Sequence, residues 1–239
     1  MPPEACFYRT LTMEGKGMKG LLLELPLTAY EEVHALQKRL VAERASGRLD
    51  RDVVIIVEHP AVYTLGKRGG RENLIVSEAF LAEKGISVVQ TERGGNITWH
   101  GPGQLVAYPI VHLEKARMGV ADFVEFLEGV MVKTLACLGV DARGDEVNRG
   151  AWVGEAKIGS VGIRVTEGVS FHGLALNVAP DLTYFSWINP CGLTIPMTTA
   201  EKELGGKVPM ETARAVMRQQ FEVLFSDGLS DVTLADLDC

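Results

Sequence analysis

The chain has 239 residues, 46% of them hydrophobic and 23% charged, which is enough apolar material for one large domain with a real core. Its net charge of −7 speaks against generic nucleic-acid binding, which usually shows a basic excess. MPPEACFYRT at the N-terminus lacks a basic segment followed by an apolar run, and no apolar run approaches the ~20 residues of a membrane span, so a cytoplasmic protein without a signal peptide is expected.

The elements alternate along the chain. EEVHALQKRLVAERASG (31–47) predicts a helix, with Val33, Leu36, Leu40 and Val41 at helical spacing and Gly47 as its stop. DVVIIVEHP (52–60) is a β-branched run ended by proline, hence a buried strand. SEAFLAEKG (77–85) predicts a short helix capped by Ser77 and stopped by Gly85. SVVQTE (87–92) and QLVAYPIV (104–111) predict strands on either side of a glycine-rich loop. VADFVEFLEGVMVKTLACLG (120–139) carries the strongest helical stripe: Phe123, Leu127, Val130, Met131, Leu135 and Leu138. AKIGSVGIRV (156–165) and VSFHGLALNV (169–178) read as strands joined by the hairpin TEG. METARAVMRQQFEVLFSDG (210–228) predicts a last helix, with Val216, Met217, Phe221, Leu224 and Phe225 inward. The pattern predicts a single α/β (α+β) domain over 1–239, with mixed β-sheets flanked by helices. The irregular order disfavours a Rossmann or TIM architecture.

Three stretches carry candidate chemistry. RGGNITWHGPGQ (93–104) combines turn formers with polar groups against a buried strand. Its glycines would let backbone amides approach a ligand, Arg93 is suited to forking onto a carboxylate or phosphate, and His100 can give or take a proton. It is no phosphate loop, since it lacks the GKS/GKT ending and opens onto a strand. The same composition would also suit a plain hairpin with surface polar groups. Lys157 opens the strand KIGSVGIRV, where a solvated strand end is the ordinary meaning of a lysine, and His172 in the next strand is more often a hydrogen-bonded core histidine than a catalyst. Cys6, Cys137, Cys191 and Cys239 are too widely spaced for a metal knuckle and are expected to be reduced thiols, Cys137 an inert apolar residue on its helix. Cys191 stands apart, in the turn WINPCGLTIP. A thiol there can act as a nucleophile if a lysine or a histidine takes its proton.

RGGNITWHGPGQ, KIGSVGIRV, FHGLALNV and NPCGL, in this order, resemble the lipoyl(octanoyl) transferase family, over about residues 53–196. The resemblance implies the catalytic fold shared with biotin and lipoate protein ligases. It also implies transfer of octanoyl from octanoyl-acyl carrier protein, through a thioester on Cys191, to a lysine of lipoyl domains: those of 2-oxoacid dehydrogenase E2 subunits and of the glycine cleavage H protein. Lys157 matches the lysine that pairs with the thiol. Arg93, Gly94, Gly95, Asn96, Ile97, Thr98, Trp99 and His100, then Ser160, Val161 and Gly162, then Gly173, Leu174 and Ala175, match substrate-binding positions, and His172 is a supporting candidate. Trp99 stands where the family usually has a smaller aromatic. No metal, organic cofactor, nucleic acid or membrane partner is implied. The glycines at 94, 95, 101, 103, 159, 162 and 173 would leave room for a straight acyl chain. Lys67, Arg68 and Arg71 would form a local basic patch for an acidic carrier protein. The alternatives are an ATP-dependent lipoate or biotin ligase on the same fold, against which the absent GRGR-type loop and the presence of Cys191 both argue; a non-catalytic scaffold that only binds acyl carrier protein, which would have no reason to pair a thiol with a lysine; and a cysteine thioesterase using Cys191 with His100 or His172.

Overall fold

The computed structural model describes residues 20–189, 195–225 and 227–237. Its strands are β1 (Gly20–Leu27), β2 (Val53–Glu58), β3 (Val62–Leu65), β4 (Ser87–Gln90), β5 (Ile97–His100), β6 (Gln104–Ile110), β7 (Arg143–Gly144), β8 (Gly150–Val153), β9 (Ala156–Thr166), β10 (Val169–Asn177) and β11 (Leu229–Val232). The helices are α1 (Tyr30–Ser46), α2 (Glu78–Glu83), α3 (Val120–Leu138), α4 (Ala200–Leu204) and α5 (Met210–Glu222). Eight strands form one mixed sheet in the order β11-β1-β2-β6-β10-β9-β8-β7, and β4-β3-β5 form a second, small sheet. This is the expected class of mixed sheets flanked by helices.

Period-two alternation splits the large sheet into two faces. Leu22, Val54, Ile56, Leu105, Ala107, Leu174 and Leu176 face α3 and α5, where they meet Phe123, Leu127, Met131, Met217 and Phe221. Their neighbours Leu21, Leu23, Val53, Ile55, Val57, Val106, Tyr108 and Phe171 face α1, against Val33, Leu40 and Val41. β2 and β6 are covered on both faces, which is why they read as continuous apolar runs. Gly47 caps α1 at φ 78° and Gly139 caps α3 at φ 94°, as glycine C-caps do. The turn between β9 and β10 has positive φ at both Glu167 and Gly168, which matches the right-handed twist of the strands it joins.

The structure departs from the sequence expectations in four places. The glycine-rich stretch is not one loop, because β5 forms inside it and pairs antiparallel with β3. β1 pairs parallel with both β2 and β11; GLLLELPL carries no β-branched residue, and local pattern alone does not place it. α5 ends at Glu222, six residues short of Gly228, although Leu224 and Phe225 are buried as expected. Cys137 is half-buried and disulfide-bonded, so the expected reduced, inert thiol is corrected at that position.

One buried ion pair fastens the end of α1 to the start of β2. Arg44 Nε donates to Asp52 Oδ1 at 2.6 Å with both side chains all but removed from solvent, and the same oxygen accepts the His112 N–H at 3.0 Å. Removing one partner leaves a buried charge and an unsatisfied amide. Asp52→Ala should therefore lower the unfolding free energy by about 3–5 kcal/mol, read as a fall in the urea midpoint at unchanged m. A loss below ~1 kcal/mol, the range of exposed pairs, would show that the pair does not anchor α1.

Candidate active site

The strands converge on a cleft of about 970 Å³. β5 and the loop before it form one wall, β9 and β10 form another, and residues 182–189 and 195–197 lie along the rim. The volume is within the range of small-molecule sites.

The loop 93–96 is rigidly stitched. Its carbonyls accept the amides of Gly66, Lys67 and Arg68 at 2.9–3.1 Å, and the Gly94 N–H donates to Ile163 of β9 at 2.9 Å. Arg93 lines the cleft, but its guanidinium turns inward. It donates to Thr64 Oγ1 at 2.8 Å and to the carbonyls of Gly94 and Asn96 at 3.1 and 2.7 Å. Burial lowers its pKa to about 10. The arginine thus organises the loop; its donors are already committed and do not form a fork aimed into the cleft.

Of the residues singled out in the sequence, Gly94, Gly95, Asn96, Ile97, Thr98, His100, Lys157, Ser160, Val161, Gly162, His172, Gly173, Leu174 and Ala175 line the cleft with Arg93. Trp99 does not. It is 1% exposed and points into the core of the small sheet, stacked on Tyr184 at 4.8 Å and edge-on to Phe185 at 5.4 Å. Alternation along β5 explains this, since Thr98 and His100 take the face opposite to Trp99. The glycines also divide by role. Gly101, Gly103 and Gly159 do not line the cleft. A Cβ on Gly159 would meet Met131 Sδ at 2.5 Å, and one on Gly173 would strike the Ala107 carbonyl, so these two permit close packing inside the fold. Gly162 lines the cleft but is closely fitted, since a Cβ there would meet Arg93 Cδ and the Gly94 carbonyl at 3.3 Å, and these would have to give by a few tenths of an ångström.

Lys157 is held at both backbone and side chain. Its N–H donates to Pro196 O at 2.8 Å, its carbonyl accepts the Thr198 N–H at 3.0 Å, and Nζ donates to Arg149 O at 2.8 Å beside the Trp152 ring. Burial lowers its pKa below the usual lysine value, and the carboxylates of Glu128 and Asp145 partly oppose that shift. Glu128, missed in the sequence reading, lies buried on α3. It accepts the Gly150 N–H at 2.5 Å and pairs with Arg149 at 2.8 Å, so it fixes the strand start whose carbonyl holds Lys157. Its signal was a carboxylate beside Leu127 on the mainly apolar inward face of α3.

Cys191 lies outside the described residues. The chain on each side of that segment borders the cleft: Ile188 and Asn189 on one side, Ile195 and Met197 on the other. Asn189 is tied to Asn73 by a 2.8 Å backbone hydrogen bond, and Met197 bridges to Lys157.

His100 belongs to a buried relay. Its Nδ1–H donates to Gln104 Oε1 at 2.7 Å, Gln104 donates to Asn177 at 2.9 Å, and Asn177 donates to the Thr198 carbonyl at 3.1 Å. Burial pushes the His100 pKa down to about 3 and that of His172 far below the usual imidazole value. Both rings are neutral and weakly basic at neutral pH. Exposed Lys67 and Arg68 stand beside the loop, with Arg68 on the cleft rim, while Arg71 is paired with Glu78 at 2.8 Å. No helix among the described residues is long and apolar enough to cross a membrane.

Comparison with known proteins places this geometry. The model of the lipoyl protein ligase A/B catalytic domain matches residues 29–222. An octanoyltransferase of Desulfotalea psychrophila is 52% identical over 189 residues, 78% of this chain and 85% of the relative. One from Syntrophobacter fumaroxidans is 42% identical over 221 residues, 92% and 96% of the two chains. In fold, the chain is similar to lipoate-protein ligase A bound with ATP, with a TM-score of 0.71 at 18% identity over 91% and 90% of the two chains. It is also similar to a bipartite lipoate protein ligase of Thermoplasma acidophilum, with a TM-score of 0.69 at 19% identity over 91% and 88%. With a catalytic-domain match over most of its length and octanoyltransferase relatives at this identity, the chain is an acyltransferase that belongs to the lipoyl protein ligase A/B catalytic-domain family.

Proposed function

We propose that the whole chain acts as one catalytic domain that transfers an octanoyl group from octanoyl-acyl carrier protein to the ε-amine of a lysine on a lipoyl domain, through a thioester on Cys191. In the first step the Cys191 sulfur attacks the donor thioester carbonyl, and the carrier thiol leaves with the proton that Lys157 took from Cys191. In the second, the acceptor amine attacks the acyl-enzyme, Lys157 takes the amine proton, and Cys191 returns as the thiol while an amide forms. The first exchange is nearly isoenergetic and the second runs downhill, so the acyl group needs no activation by ATP. Acceptors of the proposed kind are the lipoyl domains of 2-oxoacid dehydrogenase E2 subunits and the glycine cleavage H protein. The cytoplasm is the proposed compartment.

One observation carries the reading: the backbone of Lys157 is paired with Pro196 and Thr198, a few residues beyond Cys191, at the edge of a cleft lined by Gly162, Val161 and Leu174. A lysine whose ammonium is penalised by burial is a better proton acceptor than a free one, whereas His100 and His172 are too weakly basic to compete for the role. Burying the seven carbons beyond the octanoyl carbonyl is worth about 5–6 kcal/mol. Arg68 and Lys67 beside the rim offer the acidic carrier protein a local attraction that the overall charge does not.

The reading is tested by incubating the chain with octanoyl-acyl carrier protein and a lipoyl domain without nucleotide. An octanoyl amide on the lipoyl-domain lysine is expected. A requirement for ATP would make the chain a ligase, and octanoate release at an equal rate without the lipoyl domain would make it a thioesterase.

The acyl path is tested at Gly162, since Gly95 has φ +86° and any side chain there would be strained regardless of the ligand. Gly162→Val should shorten the longest accepted chain and weaken octanoyl transfer by about 1–3 kcal/mol, some 5- to 150-fold in rate. Competing octanoyl and butanoyl donors measure this. An unchanged preference would show that the chain does not run beside Gly162.

A further inference from the structure

We propose that His34, Glu92 and His172 form a three-ligand site for a divalent transition-metal ion of the zinc class, placed on the α1 side of the cleft wall. One ligand atom from each residue lies within 4.8 Å of the other two. Glu92 Oε2 stands 2.9 Å from His34 Nε2 and 3.8 Å from His172 Nε2.

His172 carries the argument. It is 2% exposed, and neither of its ring nitrogens has a hydrogen-bond partner. A buried imidazole whose two polar atoms are both unsatisfied calls for a missing ligand or water. The ring is also deliberately aimed. His172 sits at φ +56° within β10, a region a non-glycine residue adopts only when its surroundings impose it, and its N–H is held by Gln37 Oε1 of α1 at 2.8 Å. Phe171 stacks on the ring at 4.6 Å and the His34 ring lies 5.2 Å away.

The donor set has the right chemistry. Two neutral imidazoles and a carboxylate suit zinc and its neighbours, and three protein ligands leave a fourth position for water or a substrate atom. Arg93 and Lys38 oppose a cation here, so binding depends on the Glu92 charge. An ion at this point would tie α1 and β10 to the residue just before Arg93, and so clamp the glycine-rich loop against the cleft wall. This departs from the metal-free site that the family resemblance implies.

The test uses the full-length protein stripped with EDTA and titrated with Zn2+ or Co2+ against a chromophoric chelator. Wild type should take up one ion per chain, and its Co2+ form should show ligand-field bands without a thiolate charge-transfer band. Glu92→Gln, at a half-exposed side chain, and His172→Asn, which tolerates the left-handed backbone, should each weaken binding by more than the ~10–100-fold that loss of an outer-sphere partner costs. Cys191→Ala should leave it unchanged. Binding to Glu92→Gln as tight as to wild type, or binding lost in Cys191→Ala, would overturn the proposal. So would failure of the wild-type chain to compete with the chelator, which would leave His172 to a buried water.

Discussion

Two backbone hydrogen bonds govern the architecture of the cleft, those that tie Lys157 to Pro196 and Thr198. They add a short parallel bridge to the start of β9 and so fix the point at which the chain returns after residues 190–194. On the other side, the Asn189 N–H on Asn73 holds the chain as it leaves. The fold thus fixes the described residues on either side of residues 190–194, and places the part-buried Lys157 at the return. Both tethers are main-chain contacts, and the side chain is held separately, by the Nζ hydrogen bond to the Arg149 carbonyl.

Around this point the polar residues work mainly as scaffold. Arg93 spends its donors on Thr64 and two loop carbonyls; His100, Gln104 and Asn177 pass a line of hydrogen bonds to Thr198; Glu128 holds Arg149 and Gly150 behind Lys157. All are buried or nearly so, where an unpaired polar atom is costly, so each network is satisfied and therefore stiff. A rigid frame leaves the cleft surface to glycine and small apolar side chains. That is a suitable wall for an extended acyl chain, and it explains why a stretch that carries an arginine, a histidine and a glutamine can abut the core.

Much of this was legible in the sequence. Short apolar runs over 52–60, 104–111 and 169–178 marked the central strands, and the helical stripe of 120–139 marked α3, because the burial of each element is written in its own local pattern. RGGNITWHGPGQ, KIGSVGIRV and FHGLALNV also contain most of the residues that line the cleft, although Trp99, Gly101, Gly103 and Gly159 do not line it. What was not legible depends on partners distant in sequence. β1 is a strand because β2 and β11 flank it, not because GLLLELPL favours one. Trp99 points away from the cleft because pairing of β5 with β3 fixes its face. Gly159 and Gly173 are small for Met131 and Ala107, neighbours that composition does not reveal. His34, Glu92 and His172 meet only because α1 crosses β10 beside the loop that ends β4.

The account rests on Lys157 acting as the base for a thiol at Cys191. The most direct measurement is the pH dependence of octanoyl adduct formation on Cys191, followed by intact mass in wild type and in Lys157→Arg. Guanidinium keeps the charge but cannot accept a proton at any working pH. The account predicts an octanoyl mass increase on Cys191 in wild type, rising with pH through a limb below the ordinary lysine range, and loss of both the limb and most of the rate in Lys157→Arg. An adduct that forms in Lys157→Arg at the wild-type rate with the same pH limb, or a wild-type adduct on any residue other than Cys191, would contradict it.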